Sequence, residues 1–181
     1  MKYLFANIAD DALAELAPAH WRAKAATMQR VEMQRQELVA GGLLVRMLGF
    51  VPHITTDANG KPRLAARNDI FFSIAHSHQV VMCLVAEHPC GCDVEHVRPC
   101  DDDVKCAALT PDEITRGNFF DLWTRKEAYL KALGCGLARA PNTFAAASTP
   151  ARNIPAPPDY AAAICILNER NAIDESPRLD N

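Results

Sequence analysis

Two short apolar runs separated by a polar triplet constrain the fold of this chain more than any other feature. The first run is Ile70–Ile74 (Ile-Phe-Phe-Ser-Ile) and the second is Val80–Ala86 (Val-Val-Met-Cys-Leu-Val-Ala), with His76, Ser77 and His78 between them. Apolar runs of this length, rich in β-branched and aromatic residues, are typical of buried strands. They therefore predict two buried strands joined by a short polar connection.

A third run ends in two acids, in the segment Gly91-Cys92-Asp93-Val94-Glu95. In a strand, residues two positions apart point to the same face, so the carboxylates of Asp93 and Glu95 would stand side by side. Adjacent like charges destabilise a strand unless a positive group lies between them, and Mg²⁺ suits two hard oxygen ligands. The alternative is a strand end with solvated acids, and this segment alone leaves both interpretations open.

Length and charge exclude some classes of protein. The chain has 181 residues, enough for one sizeable domain or two small lobes, and its 49% hydrophobic and 23% charged residues are ordinary for a globular protein. A formal net charge of −3 provides no overall basic field for nucleic acid or a membrane surface. We expect a cytoplasmic protein, because the sequence contains neither a signal-peptide pattern nor an apolar run long enough to span a bilayer.

The cysteines predict reduced thiols rather than a disulfide framework, because their number is odd and no secretion signal accompanies them. They are Cys83, Cys90, Cys92, Cys100, Cys106, Cys135 and Cys165. Cys90 and Cys92 lie near His88 and His96, but their spacing differs from that of a zinc knuckle and no second Cys/His pair follows. We therefore do not predict a zinc site.

Helical segments precede the predicted strands. A short helix is predicted over Ala12–Leu16 and a long one over His20–Leu48, with the pair Gly41-Gly42 marking a packed contact or a bend. The segment Asp57–Gly60 (Asp-Ala-Asn-Gly) is a strong turn signal. The N-terminal half is thus expected to place a long helix beside the strands.

Two further helices are predicted after the strands. The segment Thr110–Glu113 (Thr-Pro-Asp-Glu) opens the first with a threonine cap, a proline in the first turn and Glu113 at the capping-box position. The second runs from about Asn118 to Leu133 and ends at Gly134. The remaining predictions are a proline-rich loop over residues 150–158, a strand over 160–167 and a frayed tail from about 169.

The second of these helices places an acid and a base on an otherwise apolar face. Residues three and four apart share that face: Phe120, Trp123, Glu127, Leu130, Lys131 and Gly134. An exposed Glu127–Lys131 pair would contribute about 0.2–0.5 kcal/mol, but it predicts a polar face. Burying either charge beside aromatic residues destabilises the fold unless the charge is paired or has a function. Glu127 can therefore share a cation with Asp93 and Glu95, and Lys131 can offset phosphate charge.

The order of these motifs resembles one enzyme family. It runs from Gly60-Lys61-Pro62 through Phe-Ser-Ile-Ala-His-Ser (72–77) and Gly-Cys-Asp-Val-Glu (91–95) to Phe-Phe-Asp-Leu-Trp-Thr-Arg-Lys-Glu-Ala-Tyr-Leu-Lys-Ala-Leu-Gly-Cys-Gly-Leu (119–137). The third motif alone is weak, whereas the last block is highly specific. Over about residues 60–137 the chain resembles the 4′-phosphopantetheinyl transferases, in particular the larger, two-lobed Sfp-like class.

The resemblance implies a fold and an activity. The implied fold is α+β, with two similar α/β lobes (residues 1–95 and 96–181) related by pseudo-twofold symmetry and the active site between them. The implied activity transfers the phosphopantetheine arm of coenzyme A to a serine of an acyl or peptidyl carrier protein and releases adenosine 3′,5′-bisphosphate. Such enzymes depend on Mg²⁺, which Mn²⁺ can replace, and serve fatty-acid, polyketide or nonribosomal peptide carriers. Because one chain supplies both lobes, we expect a monomer. The net charge and the lack of a membrane-spanning run predict no nucleic-acid or membrane partner.

The resemblance also implies roles for individual residues. Asp93, Glu95 and Glu127 resemble the Mg²⁺ ligands, in agreement with the interpretation from spacing. Lys131 resembles a lysine that contacts the diphosphate. Glu113 resembles a carboxylate proposed to deprotonate the carrier serine, although a capping box explains it without catalysis and Glu127 or a metal-bound water is the alternative base. The implied coenzyme A site further comprises Lys61, Pro62, His76 and Ser77.

Two departures from the family pattern keep other functions open. Ala75 stands where members usually carry Ser or Thr, and Glu37 stands near the expected position of an arginine for the 3′-phosphate. Other basic candidates in that region are Arg30, Arg35 and Arg46. One alternative is a Mg²⁺-dependent phosphohydrolase of nucleotide diphosphates, and another is a non-catalytic paralogue that binds coenzyme A or a carrier domain.

Overall fold

We describe residues 1–136 and 139–168 of a computed structural model of the protein. The helices are α1 Asp11–Glu15, α2 Ala19–Ala26, α3 Val31–Leu48, α4 Asp102–Ala108, α5 Pro111–Arg116 and α6 Phe119–Leu133. The strands are β1 Lys2–Asn7, β2 Ile54–Thr56, β3 Pro62–Leu64, β4 Phe71–Ser77, β5 Val80–Ala86, β6 Cys90–His96, β7 Arg152–Ile154 and β8 Tyr160–Ile166. Short 3₁₀ turns at Pro141–Thr143 and Ala146–Ser148 precede β7.

Two three-stranded antiparallel sheets form the centre of the described fold. One has the strand order β1-β5-β4 and the other β6-β8-β7, while β2 and β3 form a separate hairpin. Helix α3 packs on β5 of the first sheet, and α6 packs on β6 and β8 of the second. The α+β prediction is therefore confirmed as a mixed fold of helices and antiparallel sheets, whereas the pseudo-twofold relation of two lobes stays a prediction.

Buried apolar side chains form three clusters that follow these layers. One lies between helices α1–α3 and the first sheet, one lies between the two sheets, and one lies beneath α6. All seven cysteines are free, and Cys83, Cys90, Cys92 and Cys165 are buried in these clusters. The free thiols agree with the prediction from their odd number.

The two sheets meet where β4 lies along β6, and serine side chains cross the junction. Ser73 Oγ accepts from the backbone N–H of Cys92 at 3.1 Å, and Ser77 Oγ accepts from that of His96 at 3.1 Å. Both pairs are 19 residues apart, so the two strands run in the same direction. We call this junction, defined by Ser73, Ser77, Cys92 and His96, the β4–β6 seam.

Gly91 sets the distance between β6 and α6. A Cβ atom on Gly91 would overlap the carbonyl oxygen of Ala128 and the amide nitrogen of Ala132 in α6. Only a residue without a side chain permits such a close approach of strand and helix. The acids that follow Gly91 on β6 are thereby brought beside the polar residues of α6.

The long N-terminal helix differs from its prediction. The chain forms α2 and α3 with a break over residues 27–30, whereas Gly41 and Gly42 lie inside α3. A Cβ on Gly41 would lie 2.6 Å from Trp21 Cγ, and one on Gly42 would overlap the carbonyl oxygen of Leu13. The glycines thus mark a packed contact, as one of the two predicted alternatives stated: α2 packs on Gly41 and α1 packs on Gly42. The chain changes direction at residues 27–30 instead.

Several other local predictions are confirmed. The turn before β3 has Gly60 at φ 83°, α5 carries the predicted capping box, and α6 ends at Gly134 with φ 71°. Strand β8 matches its predicted run to within one residue.

Two predictions need correction, and one cannot be compared with the described residues. His76 and Ser77 belong to β4 rather than to the connection after it. The proline-rich segment 150–158 contains the edge strand β7, which pairs with β8. The predicted frayed tail from about residue 169 lies outside the described residues. Among the described residues, none of the helices has the length and apolar character needed to cross a membrane.

Candidate active site

A cavity of about 380 Å³ opens between α2, α3, the β2–β3 hairpin, β4 and α6. Its volume lies in the range typical of small-molecule sites, roughly 300–1,000 Å³. Five basic side chains line it: His20, Lys24, Lys61, His76 and Lys131. The cavity therefore suits an anionic ligand, and it collects four of the five residues of the implied coenzyme A site, namely Lys61, Pro62, His76 and Lys131.

Asp93 is the most unusual acid beside this cavity. Its residue surface is 4% exposed, its Oδ1 accepts from Lys131 Nζ at 2.6 Å, and its Oδ2 is buried with no hydrogen-bond partner among the described residues. Burial raises the pKa of Asp93 to about 7, although Lys131 opposes the shift, and Glu95 and Glu127 raise it further. An additional positive charge nearby would stabilise the ionised form of this carboxyl.

Glu95 and Glu127 complete an acidic group around Asp93. Burial raises the pKa of Glu127, with Glu95 adding to the shift and Lys131 opposing it. Glu95 Oε2 accepts from Ser77 Oγ at 2.8 Å and lies 3.6 Å from Arg98 Nη1. The three predicted metal ligands thus interact electrostatically, as their spacing on β6 and α6 implied. Within residues 1–136 and 139–168, however, no group of three or more His, Cys, Asp or Glu side chains is arranged to hold a metal ion.

Lys131 connects the acidic group to the cavity. Its side chain is one-third exposed, lines the cavity and donates to Asp93. Burial lowers the pKa of Lys131, but the Asp93 carboxylate, together with Cys92 and Glu127, outweighs burial and the net shift is upward. The ammonium therefore stays charged and faces both the acids and the space where an anion would bind.

Lys61 lines the cavity but is engaged by backbone. Its Nζ donates to the carbonyl oxygens of Cys90, Lys131 and Ala132 at 3.1, 2.5 and 3.0 Å. Burial lowers the pKa of Lys61. These bonds join the β2–β3 hairpin to the C-terminal end of α6, where a cation is favourable. A contact with a coenzyme A phosphate stays a prediction for Lys61.

Ser77 lies apart from the cavity lining, and His76 lies on it. Partial burial lowers the pKa of His76, and the charge of Lys131 lowers it further. The departure at Ala75 has a simple explanation, because this residue is buried in the apolar cluster between the two sheets. Its side chain does not face the cavity, so the cavity loses no hydroxyl through it.

Glu113 is held by structural partners. Its Oε2 lies 2.5 Å from Nζ of the fully buried Lys126 and accepts from the backbone N–H of Thr110 at 2.9 Å. Its Oε1 accepts from the N–H of Ala146 at 2.6 Å. Burial alone would raise the pKa of Glu113, but the hydrogen bonds from Lys126, Ala146 and Thr110 together outweigh it and the net shift is downward. A lowered pKa weakens a proton acceptor, and the role of general base stays a prediction.

Lys126 is a fully buried cation, which the sequence did not indicate. Besides Glu113, its Nζ donates to the carbonyl oxygens of Ala108 and Pro141 at 3.1 and 2.9 Å. The ammonium therefore ties together α4, α5, α6 and the segment that follows α6. Adjacent to Glu127 in sequence, Lys126 serves the structure and not the acidic group.

Sequence reasoning missed the contribution of α2 to the cavity. Lys24 pairs with the buried Glu37 of α3 at 2.9 Å, and His20 and Trp21 line the same wall. The spacing of His20 and Lys24 by four residues was the available signal, since it places both on one helix face. The three arginine candidates do not line the cavity, and Arg35 instead pairs with Asp11 and donates to the carbonyl oxygen of Ile8.

The raised pKa of Asp93 predicts a pH-dependent stability of the metal-free protein. Between its unfolded value of 3.8 and about 7, folded Asp93 binds a proton that unfolded Asp93 has lost, so stability falls as the pH rises through this window. Asparagine does not titrate. Between about pH 5.5 and about pH 8 we therefore expect the wild type to lose roughly 2 kcal/mol of unfolding free energy relative to Asp93→Asn.

Chemical denaturation of both proteins with a chelator present at each pH measures this difference. Comparing the change with pH removes the constant effect of losing the contact with Lys131. A difference that stays constant with pH would show that Asp93 is ionised throughout.

One segment of the chain matches a protein-family model. Residues 89–165 match the family model described as the 4′-phosphopantetheinyl transferase superfamily. This segment contains β6, α6 and β8, and therefore all three acids and Lys131. The cavity wall formed by α2 and α3 lies outside the matched segment.

Individual relatives agree with this match. The chain is similar to the 4′-phosphopantetheinyl transferase gsp of Aneurinibacillus migulanus, with 34% identity over 42% of this chain and 36% of the relative. It is similar to psf-1 of Bacillus pumilus, with 31% identity over 50% of this chain and 43% of the relative, and to a 4′-phosphopantetheinyl transferase of Bacillus subtilis, with 30% over 47% and 42%. The chain thus spans about two fifths of the length of these curated relatives.

Proposed function

We propose that this chain, whose residues 89–165 match the family model of the 4′-phosphopantetheinyl transferase superfamily, transfers the 4′-phosphopantetheine arm of coenzyme A to a serine of a carrier protein. One observation carries the proposal: within the matched segment, Lys131 bridges the buried Asp93 and a cavity lined by basic side chains. Such a cavity favours a ligand with several phosphates, and an acidic group beside it suits a phosphoryl transfer that needs a cation. The second product is adenosine 3′,5′-bisphosphate.

The acidic group supplies the oxygen donors that suit Mg²⁺ as the implied metal, although among the described residues its three side chains are not gathered around one ion position. Asp93 Oδ2 is a buried oxygen without a hydrogen-bond partner among the described residues, and Glu95 and Glu127 both raise the pKa of Asp93. Hard carboxylate oxygens are the ligands that Mg²⁺ prefers, and Mn²⁺ accepts the same set. Asp93, Glu95 and Glu127 would hold the metal. When bound, it would neutralise charge on the diphosphate of coenzyme A.

The basic residues of the cavity bind and orient the coenzyme. Lys131 donates to Asp93, lines the cavity and stays charged, so it would neutralise diphosphate charge at the wall of the cavity beside the carboxylates. His76 on β4 and Lys24 on α2 are placed to contact the remaining phosphate. Because Glu37 pairs with Lys24, an incoming phosphate competes with that carboxylate for the ammonium. Positioning and electrostatic stabilisation supply most of the rate in such transfers.

The transfer itself forms one bond and breaks one. The oxygen of the carrier serine attacks the phosphorus next to pantetheine, in line with the bond to adenosine 3′,5′-bisphosphate, which breaks as the new P–O bond forms. The serine proton passes to a carboxylate. Glu113 is the weaker candidate for this acceptor, because its pKa is lowered and each of its oxygens already accepts a hydrogen bond, so we assign the role to Glu127.

Two similar lobes in one chain, with a boundary near residue 95, remain part of the proposal. Each three-stranded sheet carries one long helix, α3 on the first and α6 on the second, which supports the division. Strand β6 pairs with β8, so the acids of residues 93 and 95 enter the site from the edge of the second sheet. We propose that a monomer suffices for activity and acts on a carrier protein without a nucleic-acid or membrane partner.

Intact mass of apo carrier proteins tests the function. Fatty-acid, polyketide and nonribosomal peptide carriers are each incubated with the protein, coenzyme A and Mg²⁺, with a chelator control. We expect one carrier class to gain the mass of one phosphopantetheine, and to lose that gain with chelator. Bisphosphate released from coenzyme A without any carrier would instead indicate a phosphohydrolase. Binding of coenzyme A without transfer to any carrier would indicate a non-catalytic binder.

A further inference from the structure

Ser77 makes a pair of hydrogen bonds that the proposed chemistry has not used. Its hydroxyl donates to Glu95 Oε2 at 2.8 Å and accepts from the backbone N–H of His96 at 3.1 Å. A serine hydroxyl has one proton to donate. The bond from His96 across the β4–β6 seam therefore fixes the oxygen, and its proton is committed to the carboxylate.

The second polar neighbour of Glu95 contacts the same oxygen. Arg98 Nη1 lies 3.6 Å from Oε2, and the arginine side chain is 57% exposed. An exposed ion pair of this kind holds a carboxylate weakly. Without the Ser77 hydroxyl, Oε2 would keep only this weak contact, and the carboxylate of Glu95 would be free to change its orientation.

We propose that Ser77 is a positioning residue that holds Glu95 beside Asp93 for metal binding, and that it is not a ligand of coenzyme A. The inference rests on the proposed metal site of the acidic group. Two observations carry it: the bond from Ser77 to Glu95, and the absence of Ser77 from the lining of the cavity. Hydrogen bonds that orient metal ligands commonly change metal affinity by 10–100-fold when they are removed.

Ser73 provides a matched control on the same strand. Its hydroxyl crosses the same seam and accepts from a β6 backbone N–H at the same 3.1 Å, but it bonds no acid of the group. Replacing either serine by alanine removes one hydrogen bond across the seam. Only Ser77→Ala also releases a carboxylate. Because Ser73 borders the cavity, the control is read from metal affinity, measured without coenzyme A.

Binding of Mn²⁺ tests the inference directly. The electron paramagnetic resonance signal of free Mn²⁺ reports the dissociation constant for wild type, Ser77→Ala, Ser77→Thr and Ser73→Ala, and thermal unfolding reports their folding. We expect Ser77→Ala to raise the dissociation constant by about 10–100-fold. Ser77→Thr, which keeps the hydroxyl, and Ser73→Ala should stay near wild type. If Ser77→Ala does not fold, Mn²⁺ binding is measured for Ser77→Cys instead, because the thiol is a weak donor of similar shape.

Transfer kinetics separate positioning from coenzyme binding. For Ser77→Ala we expect the Mg²⁺ concentration at half-maximal rate to rise, while the KM for coenzyme A at saturating Mg²⁺ stays unchanged. Three results would overturn the inference but not the proposed metal site. They are an unaltered Mn²⁺ affinity in Ser77→Ala, an equal loss of affinity in Ser73→Ala, and a raised KM for coenzyme A in Ser77→Ala. A wild-type protein that binds no Mn²⁺ would overturn both the inference and the proposed metal site.

Discussion

Replacing Glu127 by glutamine is expected to lower the rate of phosphopantetheine transfer by more than about 100-fold. Even residues that only orient a metal ligand typically contribute 10–100-fold, and Glu127 is proposed as a ligand and as the proton acceptor. Glutamine keeps the shape of the side chain, so the helix and its packing stay intact. The measurement is the initial rate of carrier modification at saturating coenzyme A and Mg²⁺, together with the thermal unfolding midpoint.

Asp121 offers a control for this substitution. It lies in the first turn of the same helix and is exposed, and its position six residues before Glu127 puts it on another side of the helix. Asp121→Asn removes the same charge and should leave the transfer rate near wild type. If Glu127→Gln retained a near wild-type rate with Mg²⁺, both the metal ligation and the proton transfer assigned to Glu127 would be wrong.

Replacing Glu113 by glutamine is expected to destabilise the fold by about 3–5 kcal/mol, because it leaves the buried charge of Lys126 without a counter-charge. Glutamine can still accept at a capping box, so the N-terminus of α5 keeps its cap and the effect isolates the ion pair. Urea denaturation of the metal-free variant and wild type gives the difference in unfolding free energy. The downward shift in the pKa of Glu113 further predicts that the contribution of this pair is present at neutral pH and is lost as the pH falls below about 4.5.

A double variant separates charge from shape in this pair. Glu113→Gln combined with Lys126→Met removes both charges, and a buried pair replaced by neutral side chains of similar volume often regains stability. The control is the pair Lys105–Asp102 on α4, where the aspartate is 91% exposed. Asp102→Asn should leave stability nearly unchanged. An equally small effect of Glu113→Gln would show that solvent reaches Lys126.

The same double variant decides whether Glu113 is catalytic. With a structural role, transfer activity should return together with the fold. With a role as general base, the double variant should fold and remain slow, because no carboxylate occupies position 113. The structural interpretation is the one that the contacts of Glu113 favour, since each of its oxygens already accepts at least one hydrogen bond.

Local patterns in the sequence determined the elements and the polar residues that they present. The alternation of Asp93 and Glu95 on β6, and the spacing of Glu127 and Lys131 on α6, follow from the periods of strand and helix. The capping box of α5 and the turn before β3 likewise depend on a few neighbouring residues. These features lie within one element, and so short-range geometry was enough to predict them.

The partners of those residues were decided by tertiary structure. Lys131 reaches Asp93 from 38 positions away, and it does so because Gly91 lets β6 approach the backbone of α6. Ser77 reaches Glu95 only because the two sheets meet along the β4–β6 seam. Sequence periodicity reports which face a residue occupies, and it carries no information about what that face meets.

The basic residues of the cavity illustrate the same limit. Lys61, expected at a phosphate, donates to two carbonyl oxygens at the end of α6 and to one at the start of β6. Lys24, which no motif indicated, lines the cavity beside Glu37. A lysine side chain is long and flexible, so its ammonium goes to whichever acceptors the folded chain brings within reach. The sequence by itself determined which charges the site contains, and only the packing of helices against sheets decided which of them meet.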